Sequence, residues 1–267
     1  MTLDPLSLRD AAVAFAREAG AIVRQGWGGP HRPERKGRID LVTEFDRRSE
    51  ALLLERIRAR FPDHAILAEE SGAHAAHHAP ARWVLDPLDG TTNFAHNYPF
   101  FAVSVAVEVG GVLAAGAVYD PVRDEMFAAA RGHGATLNDV PARVSSIDRV
   151  EDALLVTGFP YDVREHPERV MPAFQAFLQQ AQGIRRDGSA ALNLCYVAIG
   201  RFDGFWEPAL SPWDTAAGSL IAREAGGRVT DYTGGEFHLL DCPILASNGA
   251  IHDEMIRILE RARRPRA

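Results

Sequence analysis

Leu8, Ala12, Phe15, Ala19 and Ile22 recur at helical spacing and predict an amphipathic helix over 7–25. Gly26, Gly28, Gly29 and Pro30 end it. Thr43-Glu44-Phe45-Asp46 reads as the start of a second helix with Thr43 as its cap, and Leu52, Leu53 and Ile57 carry it on until Pro62. Ala65 to Ala68 is a short apolar run, a buried strand that delivers Glu69 and Glu70 at its end. Residues 72–80 are Ala/His-rich without periodicity and read as a mobile surface loop. Strand character returns at Trp83–Asp86, at 101–109, at 112–119 after the hairpin signal Gly110-Gly111, and at 125–130. This half reads as helices packed on an antiparallel sheet.

The second half alternates. Strands are expected at 153–156, 184–186, 202–206, 227–230 and 244–246, with helices at 167–182, 189–199, 215–225 and from about Ile251 onward. Strands alternating with helices favour a layered α/β arrangement. No repeat or low-complexity linker separates the halves. The chain is therefore expected to be one unit over 1–267, with an antiparallel-sheet lobe over about 1–148 and an α/β lobe over 149–267.

Composition narrows the function. With 46% hydrophobic and 24% charged residues, the 267-residue chain is ordinary for a globular protein. A net charge of −7 and the lack of a dense basic stripe argue against a nucleic-acid-binding face. Arg261, Arg263, Arg264 and Arg266 read as a solvated helix end. Cys195 and Cys242 make neither a disulfide framework nor a zinc ribbon. Neither a secretory signal nor a bilayer-spanning run is visible, so the cytoplasm is the expected location and no membrane partner is expected.

The chemistry concentrates in Trp83-Val84-Leu85-Asp86-Pro87-Leu88-Asp89-Gly90-Thr91-Thr92-Asn93-Phe94. Apolar residues run into Asp86, Pro87 fixes φ, and Gly90 permits a tight turn between Asp89 and a helix start at Thr91. Two carboxylates thus stand beside free backbone N–H groups at a positive helix end. Carboxylates hold hard cations, and the donors hold phosphate oxygens. Asp46, Glu69 and Asp214 also stand at ends of predicted elements, Asp214 just before the helix at 215–225. Like charges ~4 Å apart repel by about 4 kcal/mol per pair at an effective dielectric of roughly 20, so convergent acids must protonate or bind cations. Oxygen-only ligation favours Mg²⁺ or Mn²⁺ over Zn²⁺.

Each acid taken singly has a structural reading. Asp46 is a favourable first-turn charge, Glu69 and Glu70 a solvated strand end, Asp214 an N-cap, and Asp86 to Gly90 a turn. Their joint occurrence in this order reverses that weighing. A haloacid-dehalogenase-type D-x-D-G-T site fails because Pro87 stands where its nucleophile belongs, and no P-loop motif occurs. His74, His77 and His78 sit among alanines without cysteine, which favours a loop over a zinc site. Phe205, Trp206 and Trp213 lack basic interleaving and read as core or pocket wall rather than base-stacking residues.

The ordered motifs resemble those of the inositol monophosphatase family, lithium-sensitive magnesium-dependent phosphatases. Asp40-Leu41-Val42-Thr43-Glu44-Phe45-Asp46 matches D-L-V-T-x-x-D, and Ala68-Glu69-Glu70-Ser71 matches G-E-E-S with Ala68 in place of glycine. Asp86 to Phe94 matches D-P-[IL]-D-G-T-T-N-F. Gly188 to Asn193 and Trp213 to Gly218 match the two later motifs, and the likeness runs from about Lys36 to Gly249.

The resemblance implies a layered αβαβα sandwich and a role for each matched position. Glu69, Asp86 and the Leu88 carbonyl would bind a first Mg²⁺, and Asp86, Asp89 and Asp214 a second. Asp46 would stand near a third, weaker site and activate water with Thr91; Glu69 is the other residue on the attacking-water side. Gly90 and Thr91 N–H groups would hold phosphate, while Ser189, Ala190 and Glu207 would meet the hydroxyl-bearing part of the substrate. Glu69, Asp89 and Asp214 would also border the substrate, and Lys36 would stand near the metal network. The implied reaction is hydrolysis of a small phosphorylated polyol or sugar, inositol 1-phosphate first, by a homodimer. Relatives act on fructose 1,6-bisphosphate, nucleotide 3′-phosphates, NADP or histidinol phosphate. A non-catalytic regulatory protein on the same scaffold is the alternative of a different class.

Overall fold

A computed structural model describes residues 3–29, 33–37, 41–76, 79–240 and 243–263. Readings that rest on Pro30, Asp40, His77, His78, Cys242, Arg264 and Arg266 lie outside them. In chain order the first half holds α1 (Pro5–Gly26), β1 (Glu34–Arg35), β2 (Leu41–Val42), α2 (Glu44–Arg60), β3 (Ala65–Ala68), β4 (Gly72–His74), β5 (Ala81–Asp89), α3 (Thr91–Ala95), β6 (Ala102–Val109), β7 (Val112–Asp120), β8 (Glu125–Ala130), β9 (Ala135–Leu137) and β10 (Val140–Pro141). The second half holds β11 (Leu154–Thr157), α4 (Met171–Leu178), β12 (Gly183–Arg185), α5 (Ala190–Ala198), β13 (Gly204–Glu207), α6 (Pro212–Glu224), β14 (Arg228–Thr230), β15 (Ile244–Ser247) and α7 (His252–Arg263).

Five layers result, an α+β sandwich of the αβαβα kind. Helices α1 and α2 cover one face of an eight-stranded sheet of order β10-β9-β8-β7-β6-β5-β3-β4. Helices α5 and α6 pack on its other face and against a five-stranded sheet of order β12-β11-β13-β15-β14. Helices α4 and α7 close the far side, where Phe177, Trp206, Leu245, Met255 and Ile258 share a core. The central layer is built from small and apolar residues, Ala191, Leu192, Ala216, Ala217 and Leu220, in one cluster with Phe127 of the first sheet and Phe205 of the second. Burying each large apolar side chain stabilises the fold by roughly 1.5–3 kcal/mol.

Most predicted elements appear, with several differences. Gly72–His74 is not loop but an edge strand, antiparallel to β3; edge pairing uses backbone groups and leaves no mark in side-chain alternation. The helix expected at 167–182 splits into a 3₁₀ turn, Pro167–Arg169, and α4, because Pro172 opens a new first turn rather than continuing an old one. Helix α6 begins at Pro212, so Asp214 is its third residue and not a residue before it. The first sheet contains one parallel step, β3 beside β5. The β9–β10 hairpin went unpredicted although Asn138 and Asp139 hold left-handed φ of 48° and 65°, as a two-residue hairpin turn demands.

Candidate active site

The site begins as an irregularity in β5. Asp86 pairs with Ser104 of β6 and Asp89 with Ala102, so three steps on β5 face two on β6. Strand side chains alternate, and without that extra residue Asp86 and Asp89 would point to opposite faces. Pro87 has no N–H to give the ladder, and the Leu88 N–H turns back to Asp86 Oδ1 at 2.9 Å. Glu69 arrives from the neighbouring strand. Ala68 is in register with Leu85, and the Glu69 N–H donates to the Leu85 carbonyl at 3.2 Å, so Glu69 comes in beside Asp86. Their carboxyl groups hydrogen-bond. Asp214 enters from α6, its Oδ2 accepting the Ser211 N–H at 2.6 Å. Carboxylate oxygens of Asp86, Asp89 and Asp214 lie within 4.8 Å of one another.

Further contacts hold these acids in place. Asp89 stands at the N-terminus of α5, where its Oδ2 accepts the Ser189 hydroxyl at 2.5 Å and the Ala191 N–H at 2.8 Å. Ser189 also caps α5, so its hydroxyl serves Asp89 and the helix together. Asp46 lies behind Thr91. Its Oδ2 accepts the Thr43 N–H and hydroxyl at 2.8 and 2.6 Å, and its Oδ1 accepts the Thr91 hydroxyl at 2.9 Å. The Thr91 hydroxyl also reaches the Leu88 carbonyl at 3.0 Å. Lys36 Nζ lies 3.1 Å from Glu69 Oε1 and pairs with Glu70 as well. Gly90, at φ +96°, makes the turn from Asp89 into α3.

Electrostatics follow from burial without enough positive charge. Burial, then the nearby carboxylates of Glu69, Asp89 and Asp214, push Asp86 well above the usual carboxylate range. Burial lifts Glu69 to about 7 despite Lys36. It lifts Asp89 to about 6 despite donors from Ser189 and Ala191. Burial followed by the charge of Asp214 pushes Glu207 well up, with Arg186 opposing. Burial pulls Lys36 down, but Glu69 and Glu70 outweigh it and hold the ammonium above its ordinary value. Such a set is suited to a hard cation: oxygen donors only, mutually close, buried, and strained by like charge.

Asp89, Gly90, Thr91 and Asp214 open into a cleft of about 660 Å³, whose walls include Ser189, Ala190 and Glu207. The structure therefore brings together the predicted carboxylates, the turn and the polar wall, while Asp46 is fully buried behind Thr91. Two features were missed by sequence reasoning. Asn93 Nδ2 donates to the carbonyls of Phe100 and Asp187, both at 2.7 Å, and so ties α3 to the segment leading into α5. Arg186 and Arg164 line the cleft, Arg186 stacking on Phe159 at 5.6 Å. Asn93 stood inside the quoted motif; nothing in the sequence marked the arginines. No helix among the described residues is long and apolar enough to cross a membrane.

Comparison with known proteins agrees with this geometry. The sequence model of the inositol monophosphatase family matches residues 4–264. An inositol-1-monophosphatase of Synechocystis sp. is 48% identical over 242 residues, covering 90% of this chain and 84% of that protein. The Nus factor SuhB of Escherichia coli is 42% identical over 247 residues, 92% of each. The solved inositol monophosphatase from Anabaena superimposes with a TM-score of 0.87 at 43% identity, covering 96% of both chains. Buried clustered acids, a glycine turn into a helix start and near full-length similarity converge: the chain belongs to the inositol monophosphatase family and is a phosphatase of phosphomonoesters.

Proposed function

We propose that the protein hydrolyses inositol 1-phosphate to inositol and phosphate in a Mg²⁺-dependent, Li⁺-sensitive reaction. The observation that carries this is the meeting of Asp86, Asp89 and Asp214 within 4.8 Å beside a cleft that Gly90, Thr91 and Glu207 also line. Glu69, Asp86, Asp89, Asp214 and the Leu88 carbonyl would hold two Mg²⁺ ions, with a third near Asp46. When bound, the ions neutralise phosphate oxygens, lower the pKa of water and stabilise the leaving alkoxide.

The chain's own groups supply the rest. Backbone N–H groups of Gly90 and Thr91 hold the phosphate at the start of α3. The Thr91 hydroxyl donates to Asp46 at 2.9 Å, so as the Thr91 oxygen takes a proton from the attacking water its own proton passes to the Asp46 carboxylate. Glu69, lifted to about 7 by burial in the metal-free fold, would be kept ionised by a bound cation and so stay an acceptor on the side of the attacking water. Across the cleft, Glu207 and the Ala190 backbone meet the inositol hydroxyls, while Ser189 acts by fixing Asp89.

Phosphate release measured over inositol 1-phosphate, fructose 1,6-bisphosphate, a nucleotide 3′-phosphate, NADP and histidinol phosphate tests the reading. Turnover is expected to require Mg²⁺, to be highest on inositol 1-phosphate and to fall with added Li⁺. The name of the SuhB relatives, Nus factor, favours a second reading, a regulatory protein on this scaffold. No Mg²⁺-dependent turnover on any of these esters would support that reading instead.

Stability should report the cation as well. Glu69 and Asp89 have raised pKa values in the fold, about 7 and about 6, so the fold favours their neutral forms. Their contribution is intact below the unfolded values near pH 4 and is lost as pH rises through about 6 to 7. Bound Mg²⁺ reverses that loss. The Mg²⁺-induced rise in melting temperature is therefore expected to be small at pH 5 and largest at pH 8. Equal shifts at both pH values would place the cation away from these acids.

A further inference from the structure

Glu207 ends β13 with its carboxyl group buried beside the cleft. Strand β11 runs parallel to β13 with Thr157 opposite Trp206, and the Thr157 hydroxyl donates to the Trp206 carbonyl at 2.6 Å. One step further along that register, Gly158 faces Glu207. Side chains at paired positions share a face of the sheet, so a side chain at 158 would compete for the volume that the Glu207 carboxyl occupies. A methyl group on Gly158 would lie 2.5 Å from Glu207 Oε1, with Cδ and Oε2 nearer still. Gly158 is not among the residues with left-handed φ. Its backbone does not require glycine; the space does.

We propose that Gly158 is a positioning residue: its missing side chain sets where the Glu207 carboxyl stands in the cleft, and through it which polyol leaving groups the enzyme accepts. This rests on the reading of Glu207 as the acceptor for substrate hydroxyls. Both residues line the cleft together with Asp214. The carboxyl is the far end of a flexible side chain, so alanine at 158 displaces it rather than unfolding the sheet. Moving a buried acceptor by an ångström or more removes the hydrogen bond it would give a substrate hydroxyl.

The test compares wild type, Gly158→Ala, Glu207→Ala and the double variant, each with Mg²⁺. The substrates are inositol 1-phosphate and phenyl phosphate, which has no hydroxyl on its leaving group. Gly158→Ala is expected to raise KM for inositol 1-phosphate by about tenfold, the loss of one buried hydrogen bond. Its kcat/KM for phenyl phosphate should stay within about twofold. In the Glu207→Ala background the same substitution should change neither substrate by more than about twofold.

If Glu207→Ala leaves the preference between the two esters unchanged, the reading of Glu207 fails and this proposal with it. If Glu207→Ala abolishes the preference while Gly158→Ala does not, or if Gly158→Ala acts equally in both backgrounds, only the role of Gly158 is overturned. Should Gly158→Ala alone melt below the assay temperature, the double variant should recover stability. No recovery would mean that the methyl group displaces something other than the Glu207 carboxyl.

Discussion

Asp86→Asn should lower kcat on inositol 1-phosphate by at least about 10³-fold while leaving the metal-free protein as stable as wild type or more so. Activity falls because Asp86 is central to the acid cluster, hydrogen-bonded to Glu69 and within 4.8 Å of Asp89 and Asp214 oxygens. An amide oxygen is neutral and binds a divalent cation far more weakly than a carboxylate, and losing a preorganised electrostatic group of this kind costs about 10²–10³ or more in rate. Stability moves the other way because Asn keeps an oxygen to accept the Leu88 N–H and removes one of several like charges. The carboxyl of Asp86 is held well above its ordinary pKa, first by burial and then by its neighbours, so the charged form burdens the empty fold. Phosphate release and melting without Mg²⁺ check both halves. A variant within tenfold of wild-type turnover would remove Asp86 from the cation site.

Gly90→Ala should cost about 2–4 kcal/mol of stability and lower kcat by more than about 100-fold. The φ of +96° is one that L side chains rarely adopt. The added methyl would also meet the Phe100 carbonyl oxygen at 3.0 Å, Phe101 Cβ at 3.2 Å and the Gly188 carbonyl oxygen at 3.3 Å. Two of these are backbone atoms that cannot rotate away. Relief must come from the turn itself, which carries Asp89 on one side and Thr91 on the other. Gly132→Ala is the matched control, with a φ of +76° and nothing within 4 Å of the new methyl. It shares the backbone strain without the contacts, so a smaller melting shift and full activity are expected. Equal effects at the two positions would show that Gly90 matters only for its backbone angle.

Much of the fold was legible because local physics and tertiary packing agree. The α1 face of Leu8, Ala12, Phe15 and Ala19 is the face that became buried, and Thr43 caps α2 as its motif foretold. Where packing or backbone pairing decides, the sequence was mute. Gly72–His74 is a strand because β3 offers an edge. Asp214 lies inside α6 because Pro212 takes the first turn of the helix, a local signal that the sequence did carry, and the capping geometry then fixes the carboxylate. A first-turn charge for Asp46 and an N-cap for Asp214 had looked like rivals to cation binding. In the fold, both acids are the third helical residue in a capping box, accepting the N–H of Thr43 and of Ser211, and that bond also fixes their side chains at the site.

From sequence alone came the inventory: which acids, which turn, which helix starts, and the family whose order of motifs they follow. Those are properties of neighbours along the chain, where spacing and φ preferences act directly. Convergence of Glu69, Asp86, Asp89 and Asp214, the bulge that turns two strand acids to one side, and the fit of Glu207 into space left by Gly158 came only with the tertiary structure. Each depends on strands and helices distant in sequence packing at van der Waals distance, and no local propensity encodes that.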